Sequence, residues 1–344
     1  MTPTRPSFSA LSGCLPDAPD TPDAADAADA AAPDLAALLA GLPGAACVDD
    51  AAFAAAYEAT GDVDRARLKT CIARLHVVYG QSGLWGTGCP GAGDVREGHA
   101  VTRWRQGFVS MERAAPCAWA LVCVDGAWTS APRLLAALLP ALFAGVSGVA
   151  VLRTGGAGAW PAQVLAALEL AGQEVVADVD PAALPGLLDA LAVGGGIGSG
   201  AGGRAGRLLL LGDHPDEVSA HARALGVEVW RDGPAPAIGV VSDASAIGPA
   251  DRLDAAALRA AHADATFMDV PATPHGTPSA PLAPLSAVAC SPAHAPAWLA
   301  HVGLVLGPGH EWCWMHPGLS PAWFTRRAVA LLPVPPSHSL PGMP

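Results

Sequence analysis

The sequence predicts an α/β protein with two doubly wound lobes, mostly parallel sheets and a helical N-terminal segment. After Pro116, short apolar runs such as "CAWALVCV", "GVAVLR" and "QEVVADV" alternate with helical patterns such as "APRLLAALLPALFAG" and "WPAQVLAALELAG". Strands that alternate with helices need crossover connections, and crossovers build parallel sheets covered on both faces. A second series, "GRLLLLGDHPDEVSAHARALGVEVW", "PAIGVVSD" and "HVGLVLG", follows a Gly-rich run at Gly194–Gly203. The 344 residues, about half of them hydrophobic, suffice for two cores.

Taken in order, residues 1–34 are Pro, Ala and Asp with almost no large apolar side chain. They cannot offset the entropy of ordering and read as a disordered acidic tail. Residues 35–115 read as helices followed by a loop. "LAALLAGL" from Leu35, "DAAFAAAYEATGD" and "DVDRARLKTCIARLHVVYG" from Asp62 carry apolar residues at helical spacing with aspartates as caps. The Gly-rich stretch Gly80–Gly98 reads as a long loop anchored by Trp85.

Residues 116–203 form the first lobe, of cofactor-binding type, with the Gly-rich joint at its end. Within it, Leu134–Leu152 has 19 residues without a charge, near the length that spans a bilayer. Pro140 and the "GVSG" break at Gly145–Gly148 divide it instead into a buried helix and a buried strand. The joint Gly194–Gly203 follows a predicted helix rather than a strand, so its glycines are not a dinucleotide fingerprint. Residues 204–334 form the second lobe and 335–344 a Pro-rich tail. Both lobes are Rossmann-like in their strand–helix order.

Charge narrows the partners. The net charge is −12 and Lys69 is the single lysine, so no basic stripe can neutralise a phosphate backbone, and nucleic acid is excluded. Eight dispersed cysteines without CxxC spacing, and no signal peptide at the start, predict reduced thiols in a cytoplasmic protein. No membrane association is expected.

The run Ala115–Val176 resembles the histidinol dehydrogenase family. Members carry a strand ending in a YVPGG turn, a helix, a short strand and a second helix, and Gly126, Pro140, Ala141, Ala144, Gly145 and Val146 fall on that pattern. "GDHPDEVSAHAR" from Gly212 is similar to the family's GPGN segment, and "DGPAPAIGVVSDASA" from Asp232 to its GPSE segment. The likeness covers roughly Arg65 to Ala330. It implies an aldehyde-dehydrogenase-superfamily fold, an NAD-dependent oxidoreductase activity, a zinc ion and a homodimer.

The departures fall on functional positions. The tyrosine of YVPGG, which the resemblance places on NAD, falls on Val122, beside Gly126 of the turn; the asparagine of GPGN falls on Pro215, three residues after Gly212. Proline supplies neither a side-chain nor a backbone donor. The serine of GPSE falls on Ala235. The zinc-binding "QAEH" falls on Arg259 to His262: His262 remains as catalytic or metal-binding candidate, while the glutamine becomes a cation that repels zinc. No Glu-His general-base pair is present, and His275, His294 and His301 read as loop or surface histidines. The family's C-terminal helical tail has no counterpart.

Three functions follow as expectations. The first is a pseudoenzyme with degraded zinc and NAD sites and a binding or regulatory role for a small-molecule ligand. The second is an active NAD-dependent oxidoreductase of histidinol dehydrogenase type acting on an alcohol or aldehyde through Cys123 or His262, although a cysteine in an apolar strand more often packs than reacts. The third is a structural protein that dimerises through a sheet edge, favoured by Trp298, Trp312, Trp314 and Trp323 if exposed. The segment "GPGHEWCWMHPG", Gly307–Gly318, offers His310, Cys313 and His316 as metal ligands with Glu311 as a base; the resemblance sets it near the family's GDY..GpNH stretch, with His316 on that histidine and no aspartate left for the metal. The interleaved Trp312, Trp314 and Met315 predict instead an aromatic clasp that closes the second lobe.

Overall fold

A computed structural model describes residues 33–80, 98–194, 206–233, 236–241, 252–274 and 285–333. The acidic tail up to residue 32, most of the Gly-rich loop with Trp85, most of the Gly-rich joint, Ala235, His275 and the Pro-rich tail lie outside the described residues. Asp34 belongs to the fold rather than to the tail: its carboxylate accepts from the Ala37 amide at 3.0 Å and caps α1 (Leu35–Ala40). Asp49 caps α2 (Asp50–Ala59) in the same way, and α3 (Asp62–Gly80) follows.

The first sheet carries β1 (Ala46–Cys47), β4 (Trp119–Asp125), β5 (Gly148–Thr154), β6 (Val176–Val179), β7 (Arg207–Leu211) and β8 (Glu228–Arg231) in the order β1-β6-β5-β4-β7-β8. All pairs are parallel except β1 with β6. Side chains alternate between its faces. Ala120, Val122, Val124, Val151, Leu209 and Leu211 pack towards α3, α4 (Ala131–Phe143) and α5 (Ala162–Leu170). Leu121, Cys123, Leu152, Leu208 and Leu210 pack towards α1, α6 (Leu184–Gly194) and α7 (Asp216–Ala224). Burial on both faces is why these strands read as unbroken apolar runs.

The stretch Leu134–Leu152 is a helix followed by a strand, as expected, and no helix among the described residues is long and apolar enough to cross a membrane. The division at the joint is corrected. "RLLLL" was assigned to the second lobe, yet β7 pairs with β4 from Ala120↔Arg207 to Val124↔Leu211, and β8 pairs with β7. Here the chain runs outward from β4 through β5 and β6, then returns to the other side of β4.

The second sheet contains β9 (Ala237–Val241), β10 (Thr266–Val270), β11 (Ala287–Ala289) and β12 (Val305–Leu306) in the parallel order β10-β9-β11-β12. Its helices are α8 (Ala255–Ala261) and α9 (Ala295–Trp298). Ile238, Leu258, Ala289 and Leu306 pack with Trp314 and with Ala136 of α4, so α4 touches both sheets.

A third sheet was not foreseen. β2 (Gly98–Trp104) and β3 (Phe108–Pro116) form an antiparallel hairpin turning at Gly107 (φ +88°), inside a region assigned to helix and loop. β13 (Thr325–Pro333), assigned to the second lobe, completes the order β13-β3-β2. Met111, Val329, Leu331 and Leu332 of this sheet are exposed.

Candidate functional site

In a doubly wound sheet, ligands bind outside the carboxyl ends of the strands where the strand order reverses. Here that place lies beyond β4 and β7, and a cavity of about 620 Å³ opens there. Asp125, Gly126, Thr154, Asp213, His214 and Pro215 are among its lining residues. Two of the expected cofactor positions, Gly126 and Pro215, are therefore at this pocket, and Gly212 lies beside it.

The pocket's own chemistry differs from a phosphate cradle. Asp125 ends β4, and its carboxylate accepts from the Ala127 amide (2.9 Å) and the Asp213 amide (2.7 Å). Gly212 has φ +91°, and a Cβ there would stand 2.0 Å from Asp125 Oδ2. Glycine is thus needed at 212 to admit the protein's own carboxylate. A Cβ at Gly126 would meet the Gly155 carbonyl at 2.6 Å, so this glycine serves the close approach of the loops after β4 and β5. Helix α7 is capped by Pro215, which offers no amide N–H, and carries Asp216 and Glu217 in its first turn, with Arg231 already committed to Asp216 and to the His214 carbonyl. The residues present do not fit the pyrophosphate of NAD.

His214 lines the same pocket while nearly buried. Its Nε2 bonds the Leu211 carbonyl at 3.1 Å and its Nδ1 faces Thr154 Oγ1 at 3.5 Å. Burial lowers its pKa from the ordinary value, so it is neutral.

Next to the pocket, α4 meets the second sheet, and the joint is filled by one cation. Arg133 is 1% exposed. Its Nη2 pairs with Asp232 Oδ2 (2.5 Å) and its Nη1 with Asp264 Oδ2 (2.8 Å). The guanidinium lies 4.1 Å from the Trp128 ring centre and 5.8 Å from that of Trp314. Burial raises the Asp264 pKa despite Arg133.

His262 and His316 flank this cluster. His262 Nε2 donates to the Glu311 carbonyl at 3.2 Å while Nδ1 faces the Ser130 hydroxyl at 3.1 Å. His316 Nε2 donates to the Arg133 carbonyl at 2.9 Å, and its Nδ1 accepts from the Trp314 indole at 3.3 Å. Burial pushes the His262 pKa down to about 3, helped by the Arg133 charge, and the His316 pKa down to about 4. Both imidazoles are neutral struts with both nitrogens engaged. Zinc needs free nitrogen lone pairs directed at one point, and these residues do not fit it. Among the described residues, no group of three His, Cys, Asp or Glu side chains is placed to hold a metal ion.

Other expected site residues lie elsewhere. Val122 and Cys123 are fully buried on opposite faces of β4, and burial pushes the Cys123 thiol up to about 12, so neither meets ligand. Arg259 is exposed on α8 and stacks over Phe267 at 5.4 Å; it does not share a site with His262, which α8 turns inward at its C-terminal end. Glu311 is no free base, because its Oε1 accepts from the Asp254 amide at 3.0 Å where α8 begins. Trp312 and Trp314 are buried, which supports the clasp, although Trp312 packs in the core of the first sheet and Trp314 in that of the second. The clasp joins the sheets rather than closing one. Trp298 is buried as well, so these indoles are not an exposed contact surface.

No family model matches the sequence, and no curated protein matches it. Solved structures do. The histidinol dehydrogenase of Elizabethkingia anophelis superposes with a TM-score of 0.53 over 83% of this chain and 76% of that one, at 13% identity. An aldehyde dehydrogenase from Brucella melitensis biovar abortus 2308 gives 0.39 over 70% and 73%, at 10% identity. PnpE from Pseudomonas sp. WBC-3 gives 0.37 over 87% and 89%, at 12% identity. The first of these places the chain on a dehydrogenase-like fold.

Proposed function

We propose that this chain is a small-molecule-binding protein on a dehydrogenase-like scaffold, with a regulatory role and without zinc-assisted alcohol oxidation. The observation that carries the reading is the Asp125 carboxylate in the amide cradle of the switch-point pocket, where a phosphate would need those donors. His262 and His316, buried and internally bonded, support it. The carboxylates of Asp125 and Asp213 beside the Thr154 hydroxyl favour a ligand carrying ammonium or hydroxyl groups over a phosphate ester.

Thermal unfolding with added ligands tests this. A dinucleotide at a hundred times its Kd would add about 2.7 kcal/mol and raise the midpoint by several degrees. NAD is expected to leave the midpoint unchanged, whereas small amines and polyols are the classes expected to raise it, less so in Asp125→Asn. A saturable shift with NAD, or histidinol turnover with zinc that His262→Ala removes, would overturn the reading.

The third sheet supports a homodimer as a second reading. β13 presents an apolar edge strand, with Val329, Leu331 and Leu332 exposed, and such edges pair with a second copy. Light scattering is expected to give twice the monomer mass, and Val329→Lys with Leu331→Glu to give the monomer. A monomeric parent protein would sink it.

A further inference from the structure

Helix α3 and the loop after β12 bring two cysteines together outside the sites described above. Cys71, fully buried on α3, lies one helical turn before Arg74, whose guanidinium meets the half-buried Cys313 of the clasp, and the two thiols influence each other's acidity. One turn beyond Cys71, Arg74 Nη1 donates to the Gly309 carbonyl and stands 3.5 Å from Cys313 Sγ. Two cavities share Cys313 in their lining. One, of about 610 Å³, includes Arg74, Leu75, His310 and Met315 in its lining; the other, of about 530 Å³, includes Arg67, Arg74 and Arg252. Packing explains the buried Cys71 but not an arginine directed at the sulfur of its partner.

The pair is electrostatically split. Interaction with the Cys71 thiol, then Arg74 and the His310 charge, lower the Cys313 pKa to about 6 against the cost of burial. The same interaction and burial raise that of Cys71 well above its ordinary value. Cys313, with Arg74 at 3.5 Å and part of its surface open, is the more acidic thiol, and the buried Cys71 the less acidic one. Cys117 and Cys123, by contrast, are pushed up to about 12 by burial and are inert.

We propose that Cys313 and Cys71 form a hydroperoxide-reactive dithiol, Cys313 as the attacking sulfur and Cys71 as the resolving one. The Cys313 thiolate attacks the distal oxygen of the hydroperoxide, the O–O bond breaks, and the leaving oxygen departs as water or alcohol after taking a proton from solvent. Cys313 is then a sulfenic acid. The Cys71 sulfur, giving up its proton, attacks the Cys313 sulfur and expels the hydroxide, which leaves with that proton as water. The two thiols lose two electrons in total and the peroxide gains them, leaving a Cys71–Cys313 disulfide. That bond would tie α3 to the loop whose Glu311 holds the start of α8 and whose His316 braces Arg133.

The full chain, reduced, desalted and treated with one equivalent of hydrogen peroxide, is the test. Peptide mapping without reductant is expected to show one cross-link, Cys71 to Cys313. In Cys71→Ala, a dimedone adduct is expected on Cys313 instead. Arg74→Met is expected to slow the wild-type reaction at pH 7 by about tenfold, through the smaller thiolate fraction. Competition within the unaltered protein needs no variant: Cys313 should react well ahead of the exposed Cys47. Equal reaction at Cys47 and Cys313, or a cross-link to another cysteine, would overturn the proposal.

Discussion

Acidification from pH 7 to pH 4.5 is expected to remove about 5 kcal/mol of stability from this protein, a figure comparable to the whole margin of many domains. The cause is the pair His262 and His316, whose pKa values fall from 6.5 to about 3 and about 4 on folding. Below pH 6.5 the unfolded chain binds protons that the folded one refuses, so stability falls with pH. Each histidine contributes about 1.4 kcal/mol per unit, and two units below 6.5 give the total. The loss levels off near pH 4 for His316 and near pH 3 for His262. His214, also lowered, acts in the same direction. Asp264, whose pKa is raised, acts in the opposite direction just above its unfolded value of 3.8 and offsets part of the loss. Urea unfolding at pH 7, 6, 5 and 4.5 measures the slope, and His262→Gln with His316→Gln should flatten it. A midpoint that stays constant from pH 7 to pH 5 would show that the imidazoles titrate freely.

Much of the first sheet was legible because its strands and helices are bounded locally. β4, α4, β5, α5 and β6 each announce themselves by an apolar run, and Pro140 with the glycines after it separated helix from strand within Leu134–Leu152. Pairing was less legible. β13 lies beside β3 although Thr325 and Pro116 are far apart in the chain, and no local period names such a partner. The same holds for β7, which returns across the sheet to β4.

The site divides along the same line. Gly126 and Pro215 were found through motif resemblance and do line the pocket, but the resemblance could not say what fills it. Asp125 stands next to Gly126, and only its bonds to the Ala127 and Asp213 amides give it a role. Val122 and Cys123 sit in a strand without polar alternation. Such a strand is buried on both faces, so the sequence itself already argued against either as a contact to ligand. Arg133 was missed despite a signal: it is the single charged residue in "APRLLAALLPALF", and a charge in an otherwise buried helix has to be paired. Its partners Asp232 and Asp264 lie too far along the chain for the sequence to name.

Arg133→Met is expected to cost 3 to 5 kcal/mol at pH 7, roughly the penalty for removing one member of a buried ionic cluster. The cost comes from what remains. Asp232 and Asp264, with side chains 22% and 17% exposed, would lose the guanidinium that both of them face. Loss of packing against Trp128 is a smaller term, because methionine fills much of the same space. The two causes separate experimentally. If unpaired carboxylate dominates, adding Asp232→Asn and Asp264→Asn to Arg133→Met should recover more than half of the loss, and the single variant should be less acid-sensitive than the parent. Removing the cation relieves His262 of a charge that lowers its pKa, and Asp264 becomes easier to protonate. Denaturant midpoints for the parent, the single and the triple variant at pH 7 and pH 5 decide it. A triple variant no more stable than the single one would assign the loss to packing, and Arg133 would then be a spacer between the sheets rather than the charge that holds them.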